Sequence, residues 1–180
     1  RLAARQPPAF SARESEQKRF KRGRLIHGLL QRLPDIEPSQ REAAGARWLE
    51  TRMAPGEDAG ALIREALAVI NDKRFAAVFA PGSRAEAPLV GEVRGHRVSG
   101  IVDRLVVTKS EILILDFKTD RPAPPDASGI AEPYLAQLGL YRALLAKAFP
   151  GRAVRCALLW TEAPALMEAS SAAMERAAPT

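Results

Sequence analysis

Asp116 and Lys118 stand two residues apart at the end of an apolar run. Alternate residues of a strand project to one side, so a carboxylate and an ammonium would face a common site there. Such a pair can bind a cation and stabilise charge on a phosphate. A second carboxylate, Asp103, falls within 98–107, a largely apolar stretch of β character. Its charge is costly to bury unless a cation or hydrogen bonds compensate it. A tight turn at Lys109-Ser110 would lay the two strands side by side, so that Asp103 and Asp116 share one divalent ion. Oxygen ligands of this kind suit Mg2+ or Mn2+.

Two further features carry suitable chemistry. His27 sits beside Gly28 and one helical turn from Gly23, where the backbone can approach another element closely. Gln137 and Tyr141 are spaced i and i+4, on one helix face, and both can hydrogen-bond a phosphate or orient a carboxylate. Each feature alone has an ordinary alternative. The Asp-x-Lys triplet can be a strand-end ion pair, and Asp103 can pair with Arg104. His27 can be a packed helix residue, and Gln137 and Tyr141 can belong to a plain amphipathic helix. Their order along the chain is the informative part: helix His, strand Asp, strand Asp-x-Lys, helix Gln-x-x-x-Tyr.

The elements that must position these groups are legible in outline. Pro7 and Pro8 make 1–10 read as linker. Ser11 with Glu14 has the form of a capping box opening a helix to about Leu33, whose apolar face is Ile26, Leu29, Leu30 and Leu33. Ser39 with Glu42 opens a second helix through Trp48 toward Met53, and a third covers 59–71. From about Arg84 the texture turns to β: 85–90, 92–107 and 110–119, with Gly91, Gly95 and Lys109-Ser110 as turn signals. Residues 112–115 are apolar on both faces, as a buried central strand requires. A proline-rich loop at 122–129, a helix over 134–149, a last strand at 154–160 and a short helical tail complete the chain. The pattern predicts an α/β fold: a central mixed β-sheet flanked by helices, with an N-terminal helical region.

Composition narrows the class. The 180 residues are 47% apolar, enough for one domain with a real core. No apolar stretch is long enough to span a membrane, and no apolar run follows the basic N-terminus as a signal peptide needs, so a cytoplasmic location is expected. The single cysteine, Cys156, excludes a disulfide framework, a thiolate zinc site and a four-cysteine iron–sulfur cluster within these residues. The first residue is Arg1 rather than methionine, which is expected of a piece of a larger protein. The net charge of +6 is concentrated: residues 1–24 hold eight basic and two acidic side chains, and the rest is neutral. Arg19, Lys21, Arg22 and Arg24 are therefore candidate phosphate contacts; the alternative is a solvated helix face.

The arrangement resembles the PD-(D/E)xK nuclease superfamily, and within it the RecB-like branch. The resemblance is carried by RGRLIHGLLQ at 22–31, EAPLV at 86–90, SGIVDRL at 99–105, DFKTDR at 116–121 and YLAQLGLY at 134–141. The last three are most similar to the C-terminal nuclease domain of AddA-type helicase–nuclease subunits. It implies a restriction-endonuclease-like core at 81–161, preceded by a helical part at 11–80 and followed by a tail at 162–180. It also implies that His27, Asp103, Asp116 and the Phe117 carbonyl bind Mg2+ (or Mn2+). Lys118 is then catalytic, Gln137 and Tyr141 form the helical motif, and Glu86 is a further acidic site residue.

The implied activity is Mg2+-dependent hydrolysis of DNA, as an exonuclease on ends and single strands in recombinational repair. Implied partners are DNA, an ATP-dependent helicase motor in the same parent chain and an AddB-like subunit. No G-x-x-x-x-G-K-[ST] occurs, so these residues hold no nucleotide site of that type. The alternatives are a catalytically silent DNA-binding module of the same fold and a free-standing RecB-like exonuclease.

Overall fold

Leu25, Ile26, Leu29, Leu30 and Leu33 recur at helical spacing and are all buried, Ile26 and Leu30 fully. Burying each such side chain is worth about 1.5–3 kcal/mol, so this stripe fixes how the first helix lies on the rest of the chain. The computed structural model describes residues 9–178, with side chains from Ser15 onward. Helix α1 spans Ala9–Arg32. Its backbone is already helical before Ser11, so the expected capping box lies inside the helix. Residues 1–8 of the expected linker fall outside the described residues, whereas Ala9 and Phe10 belong to α1.

Helices α2 (Arg41–Glu50) and α3 (Ala59–Ile70) complete the N-terminal layer. The box at Ser39 is not formed either: 38–40 is a 3-10 turn, and Gln40 at the N-cap makes no side-chain cap. Helix α3 is capped as its sequence demands, the Asp58 carboxylate accepting from Ala61 N at 2.9 Å.

The sheet follows in the order β1-β2-β3-β4-β5, with β1 Arg84–Val93, β2 His96–Val107, β3 Glu111–Lys118, β4 Ala153–Trp160 and β5 Ala165–Glu168. Only the β3–β4 pair is parallel. Its connection contains α4 (Glu132–Ala148), as a parallel crossover requires. Helix α5 (Ser171–Ala177) packs beside α4. Strand β3 is the middle strand, and Ile112, Ile114 and Leu115 are fully buried. Ile112 and Ile114 enter the core beneath α4, whereas Leu115 and Phe117 enter the core beneath α1 and α3. The catalytic-candidate strand is thus clamped between two apolar layers.

Two expectations about strands change. Gly91 is not a turn: β1 runs through it, and the turn lies at Arg94-Gly95, both with positive φ. A Cβ on Gly91 would stand 2.4 Å from Leu144, so glycine there admits the α4 side chain. Strand β4 is not the last either, because β5 pairs antiparallel to it. No helix among the described residues is long and apolar enough to cross a membrane.

Candidate active site

The β2–β3 ladder ends at the pair Arg104–Leu115, so the next positions outward are Asp103 and Asp116. Both carboxylates are therefore delivered by adjoining strands to the same end of the sheet. Asp103 is held from two sides. Its Oδ2 accepts from the Phe117 backbone N–H at 2.6 Å, and its Oδ1 lies 3.2 Å from His27 Nδ1. Asp116 Oδ2 accepts from Lys118 Nζ at 2.5 Å. The triplet therefore is an ion pair, but one beside a second carboxylate rather than a solvated strand end.

His27 is brought here by α1, and its glycines are what allow the approach. A Cβ on Gly28 would meet the Trp48 ring at 2.3 Å, and one on Gly23 would meet Thr119 Oγ1 at 2.9 Å. The imidazole packs edge-on against Phe117, with ring centroids 6.0 Å apart, and Phe117 stacks on Phe79. Arg104 does not pair with Asp103. It turns away, donating to the Leu30 carbonyl at 3.2 Å, with its guanidinium over Phe79.

Electrostatics mark the carboxylates as unequal. Burial and the neighbouring Asp103 charge push Asp116 up to about 6, against the pull of Lys118. Burial also opposes ionisation of Asp103, but His27 and the Phe117 N–H outweigh it and hold its pKa below the usual value. Burial lowers the pKa of His27, yet the bond to Asp103 and the two carboxylate charges more than offset this and raise it. Two partly buried carboxylates that repel each other fit a divalent cation, which relieves the repulsion of both at once. Among the described residues no group of three His, Cys, Asp or Glu side chains is already gathered tightly enough to hold a metal. In this arrangement His27 Nδ1 is engaged by Asp103 and an Asp116 oxygen by Lys118.

Glu86 joins the site by an unusual backbone. It has φ +50, a conformation that costs a non-glycine residue about 1–2 kcal/mol. The regular β1–β2 ladder skips one pair, Glu86 with Asp103. Glu86, His27 and Asp103 line one groove of about 1250 Å3 that follows α1 and is bordered by Arg19, Arg22 and Arg24. Asp116 and Lys118 do not line it; 19% and 12% of their side-chain surface is exposed.

The remaining expected residues divide. Gln137 Nε2 donates to the Tyr141 hydroxyl at 3.1 Å, and Tyr141 is buried against Gly100. Both line a second cavity with Arg97 and Ser99, and no bond of theirs reaches Asp103, Asp116 or Lys118. Lys21 pairs with Glu57 and Arg22 with Glu65, whereas Arg19 and Arg24 have no ion pair among the described residues.

Tyr134, on the first turn of α4, was not singled out by its sequence. Lys118 Nζ lies 3.8 Å from its ring centroid, and its hydroxyl donates to Asp120 at 2.8 Å. Its position seven residues before Tyr141, two turns along the same face, was the available signal. Burial and Asp120 push its pKa up to about 12.

Comparison with known proteins gives the family. A family model described as the PD-(D/E)XK nuclease superfamily matches residues 2–178. No curated protein matches the sequence. Among solved structures, one protein described as a candidate exonuclease from Eubacterium rectale is 12% identical, with a TM-score of 0.48. The match covers 77% of this chain and 59% of that one, so the chain spans less than two thirds of that protein's length. A second, SSO0001, is 14% identical at a TM-score of 0.39, covering 90% of this chain and 83% of that chain.

Proposed function

The chain belongs to the PD-(D/E)XK nuclease superfamily, and from that premise we propose that it is a divalent-cation-dependent deoxyribonuclease domain. We place it in an AddA-type helicase–nuclease that processes double-strand breaks in the cytoplasm, acting as an exonuclease on ends and single strands. An ATP-driven motor in the same parent chain and an AddB-like subunit would be its partners. The motor context rests on the motifs at 99–105, 116–121 and 134–141.

The observation that carries the nuclease reading is the juxtaposition of Asp103 and Asp116 at the end of the central strand, with Lys118 on one and His27 on the other. Asp103, Asp116, His27 and the Phe117 carbonyl would hold Mg2+ or Mn2+, which supplies Lewis-acid polarisation of a phosphoryl oxygen and a water of lowered pKa. The protein's part is positioning. Phe117 N–H and His27 fix the Asp103 carboxylate, so its lone pairs point to one place. Lys118 is pinned by Asp116 and the face of Tyr134 in a largely water-excluded position. There its ammonium stabilises the negative charge that grows on the phosphoryl oxygens.

The test is cleavage of linear single-stranded DNA by the purified chain, with Mg2+, with Mn2+ and with EDTA. Wild type should cleave only with a divalent cation. Lys118→Met should lose at least about a hundredfold in rate, the scale of removing one preorganised donor. It should still bind the cation in a calorimeter, because an ammonium is not a ligand. Cleavage in EDTA, or full activity in Lys118→Met, would reject the assignment.

A further inference from the structure

Phe20 projects from α1 with 74% of its surface exposed, and its neighbours one turn away on the helix are Glu16, Gln17, Gly23 and Arg24. Phe20, Arg24, His27 and Gln31 recur at intervals of four, three and four, so they lie along one face of α1. All four line the same groove as Asp103. Phe20 is seven residues from His27, so it stands about 10 Å, two helical turns, from the site. The groove's other aromatic, Trp48, is already occupied: the Arg32 and Arg52 guanidinium groups lie 5.0 and 4.6 Å from its ring centroid. No ring or cation contact covers Phe20 among the described residues. Arg19 and Arg24 flank it without ion pairs among those residues. An open aromatic face between uncommitted cations fits a flexible polyanion that carries flat rings.

We propose that Phe20 is a base-stacking subsite for single-stranded DNA, which lies in the groove along α1 with its phosphates on Arg19 and Arg24 and a base on the Phe20 ring. This rests on the nuclease reading of the site and adds strand selectivity to it. A base can meet an aromatic face only when it is unstacked, so duplex DNA gains the phosphate contacts but not the ring. Phe20 thereby favours delivery of single strands toward Asp103, the metal-site carboxylate that lines the groove.

The experiment is fluorescence anisotropy in EDTA, where cleavage does not intervene, using labelled oligo(dT), the same length of abasic sugar–phosphate strand, and a blunt duplex. Phe20→Ala should weaken oligo(dT) binding roughly 5- to 100-fold, the scale of losing one stacked base. Duplex affinity and the salt dependence of both should stay unchanged, and Phe20→Trp should restore oligo(dT) binding. Wild type should hold the abasic strand no better than Phe20→Ala does. Unchanged oligo(dT) affinity, an equal loss on duplex, or a tryptophan variant as weak as alanine would overturn the subsite while leaving the nuclease reading intact. Wild type that binds neither DNA would overturn both. Phe20 is outside the core, so the alanine variant tests binding rather than folding.

Discussion

At the scale of single residues, Asp116 is where function and stability oppose each other. Its pKa is raised to about 6 by burial and by Asp103. A carboxyl whose folded pKa lies above its ordinary value stabilises the fold below that ordinary value and loses the contribution as pH rises through the folded pKa. Metal-free protein should therefore lose stability between about pH 4 and pH 6, on the order of 2–3 kcal/mol from this group. Asp116→Asn should melt at or above the wild-type temperature at pH 8 without metal, with the difference vanishing near pH 4. It should also be inactive, and added Mg2+ should raise only the wild-type melting temperature. A wild type more stable than Asp116→Asn at pH 8 in EDTA would contradict the repulsion on which the metal assignment rests.

Glu86 offers a parallel case, since a side chain at φ +50 is maintained at a cost. Glu86→Gly relieves about 1–2 kcal/mol of backbone strain, against the larger entropy glycine loses on folding. Thermal melts should show no net loss of stability, while cleavage falls. A marked drop in melting temperature would mean that the Glu86 side chain holds the strand.

At the scale of elements, the strand ends are tied together by a group that sequence order hides. Glu65 on α3 accepts from Thr161 Oγ1 at 2.6 Å, just beyond β4, and from Arg121 at 3.1 Å, just beyond β3. It also pairs with Arg22 on α1, which in turn donates to the Thr119 carbonyl. Thr161 N–H donates to the Lys118 carbonyl at 3.0 Å. One carboxylate at 10% side-chain exposure therefore fixes the backbone that carries Lys118. Removing it takes the carboxylate from the part-buried Arg22 and the acceptor from Thr161 Oγ1, while Arg121 keeps Glu162 at 3.1 Å, so Glu65→Ala should destabilise by about 1–3 kcal/mol. Glu65→Gln can still accept from Thr161 and should retain more of both stability and rate. Equal melting temperatures for Ala and wild type would show the hub to be idle.

These ties explain which parts of the molecule were legible. The apolar stripe of α1 and the double-sided apolar run of β3 follow from local periodicity, and Asp103, Asp116 and Lys118 stand out as charges on apolar strands, whereas His27 is carried by the family resemblance of 22–31. The Glu65 hub joins residues far apart in sequence, and nothing local marks it. Strand β5 escaped because 165–168 is four residues without a β-branched side chain, stabilised by pairing with β4. Gly91 misled because a glycine admitting a neighbour's side chain looks the same in sequence as one making a turn.

At the scale of the whole molecule, the structure divides the basic N-terminal segment by what each charge already does. The excess charge of residues 1–24 gave Arg19, Lys21, Arg22 and Arg24 equal standing as phosphate contacts. Lys21 is bonded to Glu57 at 2.7 Å, and Arg22 is held in the Glu65 hub, 25% exposed. Both already neutralise a carboxylate, so a phosphate bound to either competes with that charge. Arg19 and Arg24 face the groove with no such cost. Counterion release then sets the expectation: on single-stranded DNA, each cation that truly neutralises a phosphate adds roughly 0.7 to the slope of log K against log salt. Arg19→Gln and Arg24→Gln should each lower the slope by about that amount without changing the melting temperature. Arg22→Gln should leave the slope nearly unchanged but lower thermal stability, because Glu65 is deprived of a charged partner in a poorly solvated place. Lys21→Gln, at an exposed pair, should leave both the melting temperature and the slope little changed. A slope that falls equally in all four variants would mean that the ion pairs open on binding, so the whole segment would act as one electrostatic footprint rather than as two free arginines and two structural cations.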